Sequence, residues 1–289
     1  MSMYSKIDWI SFTMPILPIG EGREDIQFDR VTHQLRMEDP DLAGWLGMGD
    51  DWKLGGGRAP YKHSARSAGS LVSIYWGETL TTVLFEFSGR ACYWLDSIGI
   101  QEHVLSQWKD RITRLDVCSD IETDCLPHEF VEAGVSATFR SKGRFDSDTG
   151  QTIYIGSHKS ERFARVYKYA PPHPRAGLLR VEHVLRRDAA KMVLEAILAA
   201  GLAYAVQSLG MTFGWTHSAW NPEDVQAEPL TMARVERSLG GTEMWLIKQA
   251  APAFRRLIDE AVIVDPVVWL TRYFLENLDD LDITVVISE

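Results

Sequence analysis

The segment 112–121, with the sequence ITRLDVCSDI, alternates apolar and polar residues. Successive side chains of a β-strand point to opposite faces, so every second residue shares one face. The residues on the polar face are Arg114, Asp116, Cys118 and Asp120. Burying two carboxylates costs free energy unless the face binds a divalent cation or positions a substrate. An exposed face carrying surface ion pairs would give the same pattern.

The segment 161–169, ERFARVYKY, places Arg165, Tyr167 and Tyr169 on one face and Lys168 on the other. A guanidinium beside a phenol lowers the cost of forming a phenolate and holds a phosphate for attack. This pattern is compatible with Tyr167 as a nucleophile with Arg165 beside it. The alternative is a strand tyrosine that only packs and hydrogen-bonds.

The segment 179–187, LRVEHVLRR, adds a third one-sided set, in which Arg180, Glu182 and Arg186 share a face with Val184. If the three strands are neighbours in one sheet, their polar faces combine into a single site. That site would contain carboxylates for a metal ion, arginines for a phosphate and a tyrosine nucleophile.

The elements that must position these residues are predicted to form a large, mostly antiparallel sheet. Residues 1–190 contain short strands separated by turn signals, which is typical of antiparallel hairpins, and a helix is predicted over Tyr93–Trp108. From the N-cap candidate Asp188, an Ala- and Leu-rich helical pattern follows. We therefore predict an α+β fold, in which a sheet-rich region 1–190 carries the active site. A helical region 191–289 packs on it and serves DNA recognition or dimerisation.

The charge distribution is compatible either with a polyanionic partner or with a solvated basic surface, although the net charge is −10. Residues 141–187 carry ten Lys/Arg against four Asp/Glu, and local clusters of this kind make phosphate contacts. Three cysteines without metal-ligand spacing favour the reducing cytoplasm. The apolar run 196–206 is too short to cross a bilayer, and no signal peptide is expected. The HExxH, GxSxG and Walker A patterns are absent from the sequence, which excludes the corresponding enzyme classes.

Several segments, in this order, resemble the replication initiation factor family, the initiators of rolling-circle plasmids and their filamentous-phage relatives. The resemblance spans most of the chain, and its most specific part is YIGSxxSxxxxRxY followed by RVE. The segments are IDWISFT near the start, LFEFSGRACYWL (84–95), ITRLDVCSDI (112–121), TIYIGSHKSERFARVYKY (152–169), LRVEHVLRRDAA (179–190) and MWLIKQAAPAFRRLI (244–258).

The resemblance implies a DNA nicking-joining endonuclease that forms a covalent tyrosyl 5′-phosphate intermediate. It implies Tyr167 as the nucleophile, assisted by Arg165 and Lys168. It also implies Mg²⁺ or Mn²⁺, held by Asp116, Asp120 and Glu182. The chain departs from the family where Lys168 directly follows the tyrosine, which makes Tyr169 a rival nucleophile and Tyr154 a weaker one.

The expected partner is origin DNA, single-stranded or as a hairpin, with a host helicase and a second copy of the chain as further candidates and no membrane. The candidate DNA-binding residues are Arg180, Arg186, Lys159 and Arg162 in the basic segment and Arg58 and Lys62 in a Gly-rich stretch. Three other functions fit the same residues. They are a relaxase that nicks a transfer origin for mobilisation, a non-catalytic DNA-binding replication regulator, and a carboxylate-pair hydrolase of small substrates.

Overall fold

The computed structural model describes residues 2–47, 51–135, 139, 141–147, 150–222, 225–230 and 255–256. The chain divides into two compact units, Met1–Met232 and Ala233–Glu289. The first unit contains every strand and helix described below. The predicted helical region 191–289 therefore begins inside the first unit, and nearly all of its residues after 230 lie outside the described ranges.

The described strands form one ten-stranded sheet in which every neighbouring pair is antiparallel. The predicted α+β fold with a large antiparallel sheet is thereby confirmed. The strands are β1 Met3–Pro15, β2 Lys53–Gly56, β3 His63–Arg66, β4 Val72–Trp76, β5 Thr82–Phe87, β6 Ile112–Ile121, β7 Lys142–Ser147, β8 Gly150–Ile155, β9 Arg162–Lys168 and β10 Leu179–Arg186. Their order across the sheet is β2-β3-β4-β5-β1-β6-β10-β9-β8-β7.

The α-helices of the described residues are α1 Glu24–Glu38, α2 Pro40–Leu46, α3 Gly89–Ser97, α4 Gln101–Gln107, α5 Pro127–Glu132 and α6 Arg187–Phe213. The single helix predicted over Tyr93–Trp108 is wrong. The chain breaks it at Gly99, whose positive φ of 74° is easily adopted only by glycine. Helix α6 begins at Arg187, so Asp188 is not its N-cap. Asp188 lies in the first turn instead, where its negative charge interacts favourably with the positive end of the helix dipole.

Helix α6 is long and apolar enough, by length and composition alone, to cross a membrane. The run 196–206, which is too short by itself to cross a bilayer, is therefore part of a longer apolar helix. Gly201, with φ 86° and ψ 167°, interrupts the helical backbone near its middle. Buried residues on both sides of this break, Val193 and Leu209 among them, belong to the same hydrophobic core as the sheet. Packing against the sheet in this way is typical of an apolar helix in a protein core.

The sheet has one apolar face and one polar face because apolar and polar residues largely alternate along its central strands. On the apolar face Phe12 of β1 stacks on Phe85 of β5 at 5.1 Å between ring centroids. Helix α1 packs there through Phe28 on Trp76, and α6 through Phe213 on His183. Burial lowers the pKa of His183 to about 3, so its ring is neutral in the core. The opposite face holds the polar residues that the sequence analysis singled out.

Candidate active site

Strands β6, β10 and β9 are adjacent in that order, so the condition that the three polar sets be neighbours is met. Glu182 of β10 lies opposite Cys118 on one side and Arg165 on the other. One step along the strand, Arg180 lies opposite Asp120 and Tyr167. Side chains that face one another across antiparallel strands are about 5 Å apart at Cβ, so this register creates direct contacts.

Glu182 joins the predicted nucleophile to the predicted phosphate ligand. Its Oε1 accepts a hydrogen bond from Nη2 of Arg165, and its Oε2 accepts one from the Tyr167 hydroxyl at 3.3 Å. The Glu182 side chain is only 1% exposed, whereas that of Arg165 is 36% exposed. The guanidinium thus binds the buried carboxylate through Nη2, while about a third of the Arg165 side chain stays open to solvent, from where a phosphate can approach it.

The Tyr167 hydroxyl is protonated at neutral pH. Burial raises the pKa of Tyr167, the negative charge of Glu182 raises it further, and Arg180 and Arg165 only partly oppose this. A phenol in this state is a weak nucleophile until a base takes its proton. The hydroxyl already donates to Glu182, so the acceptor for that proton is in place.

Asp116 is a second buried carboxylate on the polar face. Arg114 donates to both of its oxygens, at 2.9 and 2.5 Å, and stacks over the Trp9 ring at 4.4 Å. Burial nevertheless raises the pKa of Asp116 to about 7, with a contribution from the nearby Glu182 carboxylate. The charged form of Asp116 is therefore costly in the protein alone, because one arginine does not offset its desolvation.

We expect the Asp116→Asn variant to lose less stability with rising pH than the wild type. The pKa of Asp116 rises from 3.8 to about 7 on folding, so its favourable contribution is complete below about pH 4 and is lost as the pH rises through 7. In metal-free urea unfolding, raising the pH from 4.5 to 7.5 should cost the wild type roughly 2–4 kcal/mol more unfolding free energy than it costs Asp116→Asn. The exposed control Asp110→Asn should show the same pH dependence as the wild type. If Asp116→Asn and the wild type lost stability equally with pH, the raised pKa of Asp116 would be contradicted.

Asp120 belongs to a different ion-pair group from Asp116. Arg180 donates to both of its oxygens at 2.6 and 3.0 Å, and Arg175 pairs with Oδ2. Burial opposes its ionisation, but Arg180 and Arg175 outweigh burial and hold the pKa of Asp120 below its ordinary value. Arg180 also donates to Asp8 at 3.0 Å. Asp120 and Asp8 thus fix the guanidinium of Arg180 beside Tyr167.

The structure separates the three predicted metal ligands. Asp116 and Asp120 lie four residues apart on one extended strand, about 13 Å, which is too far for two short side chains to bind one ion directly. No group of three or more candidate ligands occurs among the described residues. Asp116 and Glu182 fit a divalent cation as a pair, because both are buried and a dication would offset the cost of burial, which is the main cause of the raised pKa of Asp116, together with the smaller repulsion from Glu182.

Lys168 is not brought to this cluster. It lies on the other face of β9 from Tyr167, and its ammonium donates to the carbonyl oxygens of Thr123 and Asp124 at 3.0 and 3.1 Å. These bonds tie β9 to the loop that follows β6. The geometry therefore gives Lys168 a structural contact where the resemblance implied a catalytic one.

We expect Lys168→Met to retain, within about threefold, the DNA nicking that the sequence resemblance implies, while lowering the free energy of unfolding by about 1–2 kcal/mol, because two charge-assisted hydrogen bonds are lost. Thermal unfolding and a nicking assay with saturating DNA check the two parts separately. A folded variant that nicks more than a hundredfold more slowly would return Lys168 to the catalytic group.

The six predicted DNA-binding residues have different environments. Arg180 is buried in the ion-pair group. Arg186 donates to the carbonyl of His158 and lies over Phe163, and Arg162 lies over Phe139. Lys159 is exposed in the turn before β9. On the far half of the sheet Arg58 and Lys62 form ion pairs with Glu86 and Glu78, respectively.

The two rival tyrosines are placed differently from Tyr167. The Tyr169 ring stacks on His173, with parallel planes and centroids 4.1 Å apart, and Arg180 lies over it at 4.9 Å. Burial raises the pKa of Tyr169 as well. Tyr154 lies beside His158 with centroids 4.5 Å apart. Tyr167 is thus the tyrosine whose hydroxyl contacts Glu182.

Sequence reasoning missed Asp8 and Arg175, which complete the ion-pair group around Arg180. Asp8 is the extra residue where the β1–β6 register shifts between Ile7 and Trp9, so its side chain is re-aimed by a β-bulge. A single acidic residue inside the otherwise apolar segment IDWISF was the available signal. Arg175 lies in the loop between β9 and β10, where strand periodicity gives no information.

Comparison with known proteins bears on the fold. No protein-family model and no curated protein matches the chain. Among solved structures the chain is similar to a rolling circle replication initiator protein from Geobacillus stearothermophilus, with a TM-score of 0.54 and 17% sequence identity. The match covers 80% of this chain and 93% of that chain. The protein therefore has the fold of a rolling circle replication initiator, as the resemblance of its sequence implies.

Proposed function

We propose that this protein is a rolling-circle replication initiator that nicks and rejoins DNA at an origin through a tyrosyl 5′-phosphate intermediate. The observation that carries the proposal is the contact of one buried carboxylate, Glu182, with both the Tyr167 hydroxyl and the Arg165 guanidinium. A nucleophile, a proton acceptor and a phosphate ligand are the groups that this transesterification requires. The fold shared with a replication initiator supports the same function.

The reaction begins when the Tyr167 oxygen attacks the scissile phosphorus and its proton passes to Glu182. The bond from phosphorus to the 3′ oxygen breaks, and that oxygen becomes a free 3′-hydroxyl by taking up a proton from water. The exposed donors of Arg165 bind the phosphate oxygens as negative charge builds on them. The 5′-phosphotyrosyl bond replaces the phosphodiester, so a later 3′-hydroxyl can reverse the step without ATP.

A divalent cation, Mg²⁺ or Mn²⁺, would be held by Asp116 and Glu182. When bound, it would neutralise charge on the scissile phosphate. Asp120 has another role in this proposal, because it orients Arg180 and Arg175. Omitting the metal or adding EDTA should abolish nicking while leaving salt-dependent DNA binding by the basic residues intact.

The DNA ligand is origin DNA, presented as a single strand or hairpin in the cytoplasm. Lys159, Arg162 and Arg186 would contact its backbone near β9, and Arg58 and Lys62 would contact it on the other half of the sheet. Such contacts position the strand without reading its sequence. A helicase or a second copy of the chain would act together with this complex.

The three candidate tyrosines lie in different tryptic peptides, so mass spectrometry can show which one becomes attached to DNA. The protein is incubated with Mn²⁺ and with single-stranded and hairpin oligonucleotides that tile the DNA flanking its gene. Nuclease and trypsin digestion then precede mass spectrometry. Tyr167, Tyr169 and Tyr154 lie in the separate tryptic peptides 166–168, 169–175 and 145–159. We expect the nucleotide mass on peptide 166–168.

Other results of this experiment contradict the proposal in distinct ways. The nucleotide mass on 169–175 or 145–159 would move the nucleophile to another tyrosine. DNA binding without any adduct would identify a non-catalytic regulator. An adduct formed only with transfer-origin DNA of a mobilisable element would identify a relaxase, because the chemistry of the site is common to both functions.

A further inference from the structure

A pocket of about 670 Å³ lies next to the Tyr167 cluster, between the polar face of the sheet and helix α3. Its size is within the range of small-molecule sites, about 300–1,000 Å³. Tyr169 and Arg180 form one wall and Ser88, Gly89 and Tyr93 another. The pocket touches the proposed active site directly, since the Tyr169 and Tyr167 rings meet edge to face with centroids 5.6 Å apart.

The pocket has an excess of positive charge. Its lining includes four cationic side chains, Lys6, Arg90, Arg175 and Arg180. The carboxylates in contact with them are Asp8, 3.7 Å from Lys6 and 3.0 Å from Arg180, and Asp120. Among the described residues, these four cations therefore outnumber the carboxylates that contact them by two.

Arg90 is the cation best placed to bind a ligand. Its side chain is exposed at the first turn of α3 and forms no ion pair with any residue in the described ranges. A phosphate group is the anion that matches a free guanidinium in such a pocket.

The same pocket presents aromatic rings. Tyr93 is 59% exposed, and Trp94 lies beside it on α3. On the opposite wall the parallel rings of Tyr169 and His173 form a stack whose His173 end is exposed. Aromatic faces combined with an excess of cations are the features by which proteins hold unpaired nucleotides.

We propose that this pocket binds one unpaired nucleotide of the substrate strand, next to the phosphate that Tyr167 attacks. The base would stack on the aromatic walls, and Arg90 would bind the phosphate of that nucleotide. This inference rests on the proposed function, because it places the nucleotide relative to the scissile phosphate. It adds a reason for the enzyme to act on single-stranded DNA, since a paired base cannot enter the pocket.

A scan with abasic oligonucleotides tests the pocket. The tightest-binding single-stranded oligonucleotide is chosen by fluorescence anisotropy without metal, and an abasic residue is then moved through it one position at a time. We expect one position at which base removal weakens wild-type binding roughly 5- to 150-fold. The Tyr93→Ala variant should bind the intact oligonucleotide more weakly by a similar factor and should lose the penalty at that position. Tyr93→Phe should keep it.

Arginine variants supply a matched control. Arg90→Ala should weaken binding to every oligonucleotide and reduce the slope of log affinity against log salt by about one. Arg23→Ala, which removes another exposed arginine, at the start of α1 and away from the pocket lining, should leave both quantities unchanged.

The outcomes separate this proposal from the proposed function. An abasic penalty that is the same in wild type and Tyr93→Ala, or no single-stranded binding at all, would overturn the pocket. Adduct formation by the wild type alongside that result would leave the nicking proposal standing. A position-specific penalty that depends on Tyr93 but no adduct on any tyrosine would support the pocket and remove the nicking activity.

Discussion

Tyr167→Phe should abolish the covalent protein–DNA adduct and slow nicking by at least about a thousandfold, because the attacking oxygen is removed. The reaction depends on one atom, so neither added Mn²⁺ nor high pH should restore it. Phe keeps the ring and its packing against Tyr169. The lost hydrogen bond to Glu182 is long, at 3.3 Å, and should lower the free energy of unfolding by less than about 1 kcal/mol. Denaturing gels with end-labelled oligonucleotides measure the adduct directly.

Tyr169→Phe is the matched control for this experiment. It removes the neighbouring phenol and leaves the Tyr167–Glu182 contact in place, so it should nick within a few-fold of the wild type. Residual nicking by Tyr167→Phe at more than one tenth of the wild-type rate would contradict the assignment. A double variant that loses activity only when both tyrosines are replaced would show that the two substitute for one another.

Glu182→Gln should slow nicking by about 10²- to 10⁴-fold, the usual contribution of a positioned acid or base. The amide oxygen of glutamine can still accept the hydrogen bond from Arg165, and its NH2 group can donate to the Tyr167 oxygen, so the side chains keep their places, but glutamine cannot take up the phenolic proton. Removing one negative charge also weakens the metal site. Single-turnover nicking at several Mn²⁺ concentrations measures the loss, and saturating Mn²⁺ should recover only the part due to metal binding.

DNA binding distinguishes loss of chemistry from loss of fold in this variant. Without metal, Glu182→Gln should bind single-stranded DNA at least as tightly as the wild type, because a negative charge near the phosphate is gone. Glu161→Gln, a partly exposed glutamate just before β9, should change neither rate nor affinity appreciably. Nicking by Glu182→Gln at the wild-type rate would show that another group takes the proton.

The strands that carry the site were predictable because their alternation is strong. The predicted segment 112–121 coincides with β6, and β9 and β10 lie within one or two residues of their predicted bounds. The faces of Arg165, Tyr167 and Glu182 follow from the pleat alone. Their contacts do not, since these depend on the register between strands far apart in sequence. Here β10 lies between β6 and β9 and brings Glu182 to both.

The elements that sequence analysis missed have weak local patterns. Helix α1 has only five apolar residues among fifteen, and three of them, Phe28, Val31 and Leu35, are buried in the core. Gly55 and Gly56, in the Gly-rich stretch of the sequence, lie in β2, where pairing with β3 overrides the low strand propensity of glycine. The paired strand β7 is exposed along its whole length, so burial left no apolar periodicity in it.

The proposed metal site shows another limit of prediction from sequence, namely the different roles of similar acidic residues. Sequence motifs grouped Asp116, Asp120 and Glu182 as equivalent acids, whereas the arginine that each one meets decides its role. Arg114 reaches Asp116 from two residues away on the same strand, which the sequence does indicate. Arg175 reaches Asp120 from a loop 55 residues away, which it does not.

The position of Tyr167 within the strand order determines how much bound DNA the protein should cover on each side of the site. Strand β9 is eighth of ten, with seven strands towards β2 and two towards β7. At about 4.8 Å per strand, a DNA segment crossing the sheet above Tyr167 would meet protein for roughly 30 Å in one direction and 10 Å in the other. Nuclease footprints should therefore be lopsided about the cleaved bond, with most of a helical turn shielded on a single flank.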